Sequence, residues 1–214
     1  MTNKVLAEKL KTINGITITP FKEGTREIDW QGVEENVEYL IAKGIKVIVP
    51  CGNTSEFYAL TLEEAKEEIK RTVEIVNGRA TVVAGVGYSV DMAVDLGNYS
   101  AEVGADAIMI HMPVHPYATS EGTKEYFENI MNRVDIPSVL YFKDPNIDDK
   151  ILLELSENEN LVGVKYAIND LPRFTKTVRM IPKENNGRRM SVQLVLKDLH
   201  LDWSTSILRN HWKC

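Results

Sequence analysis

The side chain with the clearest chemical potential is Lys165, which directly follows the apolar run at residues 161–164. A short apolar run of this kind predicts a buried β-strand. An ammonium group at the end of such a strand is costly unless it is paired or loses its proton. A desolvated lysine has a lowered pKa, and its free amine can attack a carbonyl carbon to form an imine. The alternative is a lysine that extends to the solvent or pairs with Asp170 or Glu56.

Tyr141 and the polar loop at residues 52–56 are the next candidates. Tyr141 ends the preceding apolar run, so its phenol is expected near Lys165, where it could carry the proton that imine formation and carbon–carbon cleavage require. The hydroxyls of Thr54 and Ser55, with backbone N–H groups of the loop, could hold a substrate carboxylate. The alternatives are a core tyrosine with a satisfied hydroxyl and ordinary turn chemistry.

Two other groups of polar residues have simpler interpretations. His111 and His115 are four residues apart, which suits a metal only on a helix, and Pro113 interrupts them. The sequence therefore predicts no metal site. It also predicts no organic cofactor, because an imine is itself the electron sink. The acidic pairs at 63–64 and 67–68 are interpreted as a solvated helix face.

Six short runs rich in β-branched residues must position these side chains. Each is nearly continuous in apolar residues, as is typical of parallel strands covered on both faces. The predicted strands are residues 16–19, 47–49, 81–86, 107–110, 138–141 and 161–164. The helical patterns between them are residues 29–43, 62–76, 91–103, 120–134, 148–156 and a last helix that is capped by Asn169 and ends near Met180. Thr61 and Glu64 predict a capping box on the second of these helices.

Alternation of strands and helices is compatible with a closed barrel or an open doubly wound sheet. The open sheet would bind a nucleotide through a glycine-rich first turn, but Thr19-Pro20-Phe21 follows the first strand. The pair Gly85 and Gly87 is only half of such a fingerprint. The sequence therefore favours the α/β fold of a (β/α)8 TIM barrel. It is incomplete here, with about six βα units and with strands 7 and 8 missing or out of frame.

Composition excludes several classes of protein. The chain has 214 residues, of which 43% are hydrophobic and 26% charged, values typical of a globular protein rather than a disordered chain. The net charge of −6 argues against a nucleic-acid partner. Two cysteines cannot form a disulfide framework, and Cys51 is expected to be a buried thiol. We find no membrane-spanning run and no secretory signal, so we predict a cytoplasmic protein.

Four segments, taken together, resemble a known family. They are Gly-Ile-Thr-Ile-Thr-Pro-Phe at 15–21, Gly-Asn-Thr-Ser-Glu-Phe at 52–57, Tyr141 ahead of Pro145, and Gly-Val-Lys at 163–165. Over about residues 4–182 the chain resembles the dihydrodipicolinate synthase / N-acetylneuraminate lyase family. The resemblance implies a (β/α)8 barrel that binds pyruvate or a related 2-keto acid as a lysine imine, often in homodimers or homotetramers.

The resemblance also implies roles for individual residues. Lys165 would form the Schiff base, Tyr141 would relay protons, and Thr54 would contact the keto-acid carboxylate and pass protons to Tyr141. The His115-Pro116-Tyr117 loop corresponds to a segment that lines the site or contacts another subunit. The predicted substrate-binding residues are Asn53, Ser55, Tyr117 and Ala167.

The chain departs from the family pattern at several positions. Asn53 replaces a hydroxyl residue, Ser55 replaces a glycine, and Phe142 replaces an asparagine. No arginine clearly matches the one that lysine-pathway synthases use to bind the second substrate. Arg133 and Arg173 are only weak candidates for that role. These departures bear on the synthase activity more than on imine formation.

The sequence changes character near residue 186, so we divide the chain into a partial barrel catalytic domain at 1–186 and an anomalous tail at 187–214. No strand or family pattern is evident in the tail. Codons that can encode residues 195–208, when read one base earlier, spell Gly-Ala-Glu-Gly-Phe-Thr-Ser-Gly-Leu-Val-Asn-Ile-His-Pro. That sequence resembles the eighth strand of the family. We therefore interpret the tail as an out-of-frame translation rather than a divergent C-terminus. No functional role is assigned to Trp203, Trp212, His200, His211 or Cys214.

The predicted activity is that of a lyase or synthase of the dihydrodipicolinate synthase type, acting on a 2-keto acid and an aldehyde. Two alternatives remain open. One is a keto-deoxy sugar-acid dehydratase or aldolase that uses the same lysine. The other is an inactive, incompletely closed barrel fragment.

Overall fold

The computed structural model describes residues 2–181 and 191–194 of the chain. Within these residues, seven strands form one sheet in chain order, and every neighbouring pair is parallel. The strands are β1 (Asn14–Ile16), β2 (Val47–Val49), β3 (Thr81–Val86), β4 (Ala107–Ile110), β5 (Ser138–Phe142), β6 (Leu161–Tyr166) and β7 (Ser191–Leu194). The helices are α1 (Asn3–Lys9), α2 (Trp30–Ala42), α3 (Leu62–Val76), α4 (Val90–Glu102), α5 (Ser120–Met131), α6 (Lys150–Leu155) and α7 (Leu171–Met180), with a 3-10 turn at Phe57–Ala59.

The strand order confirms the predicted fold class. Consecutive parallel strands separated by helices, with no change of order, are the arrangement of a (β/α)8 barrel rather than of a doubly wound sheet. The β2, β3 and β4 strands have the predicted bounds. All residues of these three strands are buried, which explains their continuous apolar sequences.

Two strand predictions need correction. The first strand ends at Ile16 rather than at residue 19, because the backbone N–H of Ile18 donates to the side chain of Asn36 instead of a neighbouring strand. The tail was predicted to hold no strand, yet Ser191–Leu194 pairs with β6 as β7. The reason is that the free edge of β6 presents unpaired backbone groups, which a short segment with β-branched and apolar residues can satisfy.

Helix termini follow local capping chemistry. The predicted capping box of α3 is confirmed, since the Thr61 hydroxyl accepts from the N–H of Glu64 and the Glu64 carboxylate accepts from the N–H of Thr61. The predicted cap of α7 is wrong by one residue. Asp170, not Asn169, caps this helix, because Asp170 has an extended backbone and its carboxylate accepts from the N–H of Arg173 at 2.9 Å.

The core has one layer inside the sheet and one between the sheet and the helices. The inner layer includes Leu6 and Leu10 of the N-terminal segment, which pack with strand residues such as Val83 and Met109. The helix α1 that carries Leu6 was not predicted from the sequence. Of the helices in the described part of the chain, none is long and apolar enough to cross a membrane.

Candidate active site

Lys165 and Tyr141 lie side by side on neighbouring strands. They are register partners in the β5–β6 pair, so their side chains emerge on the same face of the sheet. The Lys165 Nζ atom lies 4.5 Å from the centroid of the Tyr141 ring. The proximity predicted from the strand ends is therefore present in the structure.

The Lys165 amine is half-buried and has no carboxylate within ion-pair distance in the described residues, so the predicted alternative of a pair with Asp170 or Glu56 is not found there. Burial, with a smaller contribution from the positive charge of Lys143, lowers the pKa of Lys165 from 10.5 to about 8. The neutral fraction of the amine near physiological pH is therefore far larger than that of a solvated lysine. A neutral amine is the form that attacks a carbonyl carbon.

Lys143 is a second cation at the site, and the sequence analysis assigned it no role. Its Nζ atom lies 5.6 Å from the centroid of the Tyr141 ring and 5.6 Å from that of Tyr58. Burial lowers the pKa of Lys143, and the adjacent Asp144 acts in the opposite direction. Two ammonium groups thus share one phenol ring, an arrangement that disfavours the charged form of the more buried lysine.

The phenol of Tyr141 is held by Asn53. The Asn53 Nδ2 atom donates to the Tyr141 hydroxyl at 3.3 Å. Burial raises the pKa of Tyr141, while this hydrogen bond partly offsets the effect. An amide side chain is therefore the neighbour of the phenol in the loop.

Thr54 and Ser55 lie in different surroundings within the loop. Thr54 is exposed, and among the described contacts of Tyr141 the loop partner is Asn53, not Thr54. Ser55 is fully buried, and its hydroxyl donates to the carbonyl of Thr17 at 2.7 Å and accepts from the N–H of Gly52 at 3.1 Å. The Ser55 hydroxyl therefore holds the shape of the loop, and its role in substrate binding stays a prediction.

The two further predicted substrate-binding residues, Tyr117 and Ala167, differ in their surroundings. Tyr117 is 83% exposed, and its described ring contact is with His115, 6.0 Å away between centroids. Ala167 follows β6 directly and donates its N–H to the carbonyl of Phe142 at 2.7 Å. The described residues do not bring Tyr117 into contact with Lys165 or Tyr141. Phe142 is buried and stacks on Tyr166.

The two loosely suggested arginines are both engaged elsewhere. Arg173 forms an ion pair with Asp149 at 2.6 Å and also donates to the carbonyls of Pro145 and Ile147. Arg133 pairs with the exposed Asp91 at 2.8 Å. The described contacts of both arginines are thus with residues other than Lys165 and Tyr141.

His111 is part of the wall of the site. It is fully buried, stacks on Phe57 with 4.7 Å between centroids, and its Nε2 atom lies 2.9 Å from the carbonyl oxygen of Cys51. Burial lowers the pKa of His111 to about 4, so a neutral ring donates through Nε2–H. A Cβ atom at Gly85 would lie 1.9 Å from the same oxygen, so glycine is required there.

The predicted state of Cys51 is confirmed. The thiol is free and buried, and burial raises its pKa well above 9.0. A thiol of this kind is unreactive. No cluster of three or more potential metal ligands occurs within residues 2–181 and 191–194.

The fold and this lysine–tyrosine site match one family of barrel proteins. The sequence profile of the dihydrodipicolinate synthetase family matches residues 9–186. The chain belongs to the dihydrodipicolinate synthetase family.

Curated relatives and solved structures agree with this assignment. The chain is 31% identical over 186 residues to 4-hydroxy-tetrahydrodipicolinate synthase of Methanococcus vannielii, covering 86% of this chain and 59% of that protein. The chain is 35% identical over 167 residues to the same enzyme of Methanocaldococcus jannaschii. This match covers 75% of this chain and 57% of that protein.

Crystal structures of two dihydrodipicolinate synthases superpose well on the chain. The enzyme from Bacillus clausii has 57% identity and a TM-score of 0.84, covering 88% of this chain and 62% of the other. The enzyme from Oceanobacillus iheyensis has 53% identity and a TM-score of 0.85, and the match covers 90% of this chain and 62% of the other. The chain thus spans about three fifths of the length of the relatives that it matches.

Proposed function

We propose that this protein is a Schiff-base lyase or synthase that binds pyruvate or a related 2-keto acid through Lys165. The observation that carries the proposal is the half-buried Lys165 amine, which contacts the Tyr141 ring and has no described carboxylate partner. The family and the names of the relatives support a reaction of the 4-hydroxy-tetrahydrodipicolinate synthase type, in which the second substrate is an aldehyde.

The proposed chemistry follows from the site. The neutral Lys165 amine attacks the keto carbon, a C–N bond forms, and the carbinolamine loses water to give an imine. Loss of a proton from the adjacent carbon gives an enamine, whose carbon then adds to the aldehyde. The Tyr141 phenol lies next to the amine and can take up and return the protons of these steps. The imine accepts the electrons, so the mechanism uses no other cofactor.

A keto-deoxy sugar-acid dehydratase or aldolase is the second candidate. It is favoured by Asn53, an amide in place of the hydroxyl beside Tyr141, and by the ion pair that occupies Arg173. Asn53 changes the surroundings of the Tyr141 phenol, and the Arg173 guanidinium is held by Asp149 rather than free for a second substrate. The Lys165 step is common to the two candidates. An assay with pyruvate and aspartate semialdehyde, run in parallel with sugar-acid substrates, distinguishes them.

Assembly and location belong to the same proposal. We propose a homo-oligomer, a dimer or tetramer, in which the loop at residues 115–117 lines the site or contacts another subunit. Val114 and Tyr117 support this proposal, because they are 69% and 83% exposed, and adjacent exposed apolar side chains are typical of contact surfaces. The cytoplasm stays the predicted location.

For the tail we keep the proposal that residues from about 187 onward are translated out of frame. The family match ends at residue 186, which supports a boundary there. The tail residues named in the sequence analysis lie outside the described residues. Sequencing the encoding DNA tests the proposal, and an intact single frame with no insertion or deletion before codon 187 would refute it.

Deuterium exchange tests the proposed imine without knowledge of the second substrate. An enamine exchanges its carbon-bound protons with solvent, so pyruvate in deuterated buffer should lose its methyl proton signal when the protein is added. Lys165→Ala should abolish the exchange, and Tyr141→Phe should slow it roughly 100-fold or more, the usual size of a general acid–base contribution. Exchange at the wild-type rate by Lys165→Ala would overturn the proposal.

A further inference from the structure

Glu68 is a buried carboxyl group beneath the loop that carries Asn53. It lies on α3 and is 0% exposed, although the sequence suggested a solvated helix face. Its Oε1 atom accepts from the N–H of Cys51 at 3.2 Å, and its Oε2 atom lies 2.7 Å from the Thr19 hydroxyl. Glu68 therefore joins α3 to the chain segments that follow β1 and β2.

The hydrogen atoms available at Thr19 indicate which form of Glu68 fits this arrangement. The Thr19 Oγ1 atom lies 2.7 Å from the carbonyl oxygen of Ser55 and 2.7 Å from Glu68 Oε2. A hydroxyl has one proton to donate. If Glu68 were an ionised carboxylate, one of these two short contacts would therefore join two oxygen atoms with no hydrogen between them. A protonated Glu68 removes the conflict, because Oε2–H donates to Thr19 and Thr19 donates to Ser55.

The surroundings of Glu68 contain no compensating cation in the described residues. On α3, the neighbouring Glu67 is paired with Arg71. The segment after β1 contributes the hydroxyls of Thr17 and Thr19, and the segment after β2 contributes the Cys51 thiol, which is itself neutral. Burial raises the pKa of Glu68 from 4.5 to about 7, against the opposing effect of its hydrogen bonds.

The same contacts hold both ends of the loop that reaches the active site. Glu68 binds the N–H of Cys51 at the start of the loop, and Thr19 binds the carbonyl of Ser55 near its end. Asn53 lies between these two points and donates to the Tyr141 hydroxyl. We propose that Glu68 is a positioning residue that, as a neutral carboxylic acid, fixes this loop so that Asn53 meets the Tyr141 phenol.

Three substitutions separate the neutral acid from the carboxylate. Glu68→Gln keeps a donor toward Thr19 and an acceptor for Cys51 at every pH, so it should preserve the loop. Glu68→Ala removes both. Glu67→Gln is the matched control, because it removes a carboxylate from the adjacent, solvent-accessible position of the same helix.

Infrared spectroscopy at pH 6 observes the proton directly. We expect a carboxylic acid C=O band in the wild-type protein and in Glu67→Gln that is missing in Glu68→Gln. If the wild-type spectrum lacks a band that depends on Glu68, the proposal is refuted. This readout does not depend on imine chemistry.

Urea unfolding gives a second readout that is also independent of activity. The pKa of Glu68 is higher in the folded protein than its ordinary value, so proton binding favours the folded state and its stabilising effect is complete below pH 4.5. The wild-type urea midpoint should therefore fall relative to that of Glu68→Gln between pH 4.5 and about 7, with a constant difference above pH 7. A Glu68→Gln variant as destabilised as Glu68→Ala throughout this range would show that the carboxylate holds the loop, and would overturn the proposal.

The positioning role itself rests on the proposed function, and its readout is borohydride trapping of pyruvate on Lys165. Above pH 7 the Glu68→Gln variant should trap severalfold faster than the wild type, because its loop stays bonded while the Lys165 amine becomes neutral. The two rates should converge at pH 6. Equal rates across the pH range, with the infrared band present, would refute the positioning role alone, whereas no trapping by any variant would refute the proposed function.

Discussion

At the scale of single residues, the site depends on what surrounds two cations. The closeness of Lys165 and Tyr141 could be predicted, because each ends an apolar strand and consecutive parallel strands bring such positions together. The positions of Lys143 and Glu68 at or below the site could not be predicted. Charged residues in a strand-end segment or a helix are usually solvated, and only the packed structure shows which of them are buried. The sequence also does not show that the Ser55 hydroxyl donates to the carbonyl of Thr17.

Lys143→Met tests the electrostatic coupling of the two lysines. Removing a positive charge should raise the pKa of Lys165 above about 8, since the Lys143 charge is the second contribution, after burial, to its lowering. At pH 7 we expect the rate of pyruvate trapping to fall roughly two- to fivefold, with the pH midpoint moved upward. The trapping rate as a function of pH measures this shift. Lys143→Arg should behave as the wild type, and a midpoint that is unchanged in Lys143→Met would exclude the coupling.

At the scale of elements, the start of a helix with a strong capping signal could be predicted best. Elements formed by short segments of mixed polarity could be predicted least well. The Thr61 and Glu64 pattern located α3 to the residue, because two complementary hydrogen bonds define one starting point. Asn169 and Asp170 are both good caps, and the sequence does not tell which one adopts the extended backbone. Helix α1 was missed because its burial depends on contacts with distant strands rather than on its own pattern.

Thr61→Ala tests how much the α3 cap contributes to stability. Loss of the hydroxyl leaves the N–H of Glu64 without its acceptor, so we expect a loss of about 1 kcal/mol in the free energy of unfolding, measured by urea denaturation. Thr61→Ser retains the acceptor and serves as the control. Equal stability of the alanine and serine variants would mean that the cap does not stabilise α3.

At the scale of the whole molecule, repetition made the architecture predictable. Six strand–helix units in sequence specify a parallel sheet, and right-handed crossovers place its strands in chain order, as observed. The seventh strand, Ser191–Leu194, was not predicted because its pairing depends on the exposed edge of β6 rather than on a pattern within the segment. The chain covers 62% of the Bacillus clausii enzyme, so the described sheet corresponds to part of a barrel.

Mass spectrometry of a reduced pyruvate adduct shows whether the Lys165 amine in this partial barrel forms the proposed imine. The protein is incubated with pyruvate, treated with borohydride, digested and mapped, with Lys165→Arg and Lys150→Arg prepared in parallel. The account predicts one adduct on Lys165, present in Lys150→Arg and absent from Lys165→Arg, with a yield that rises as the pH approaches about 8. No adduct, or an equal adduct in Lys165→Arg, would contradict the account and favour the inactive fragment.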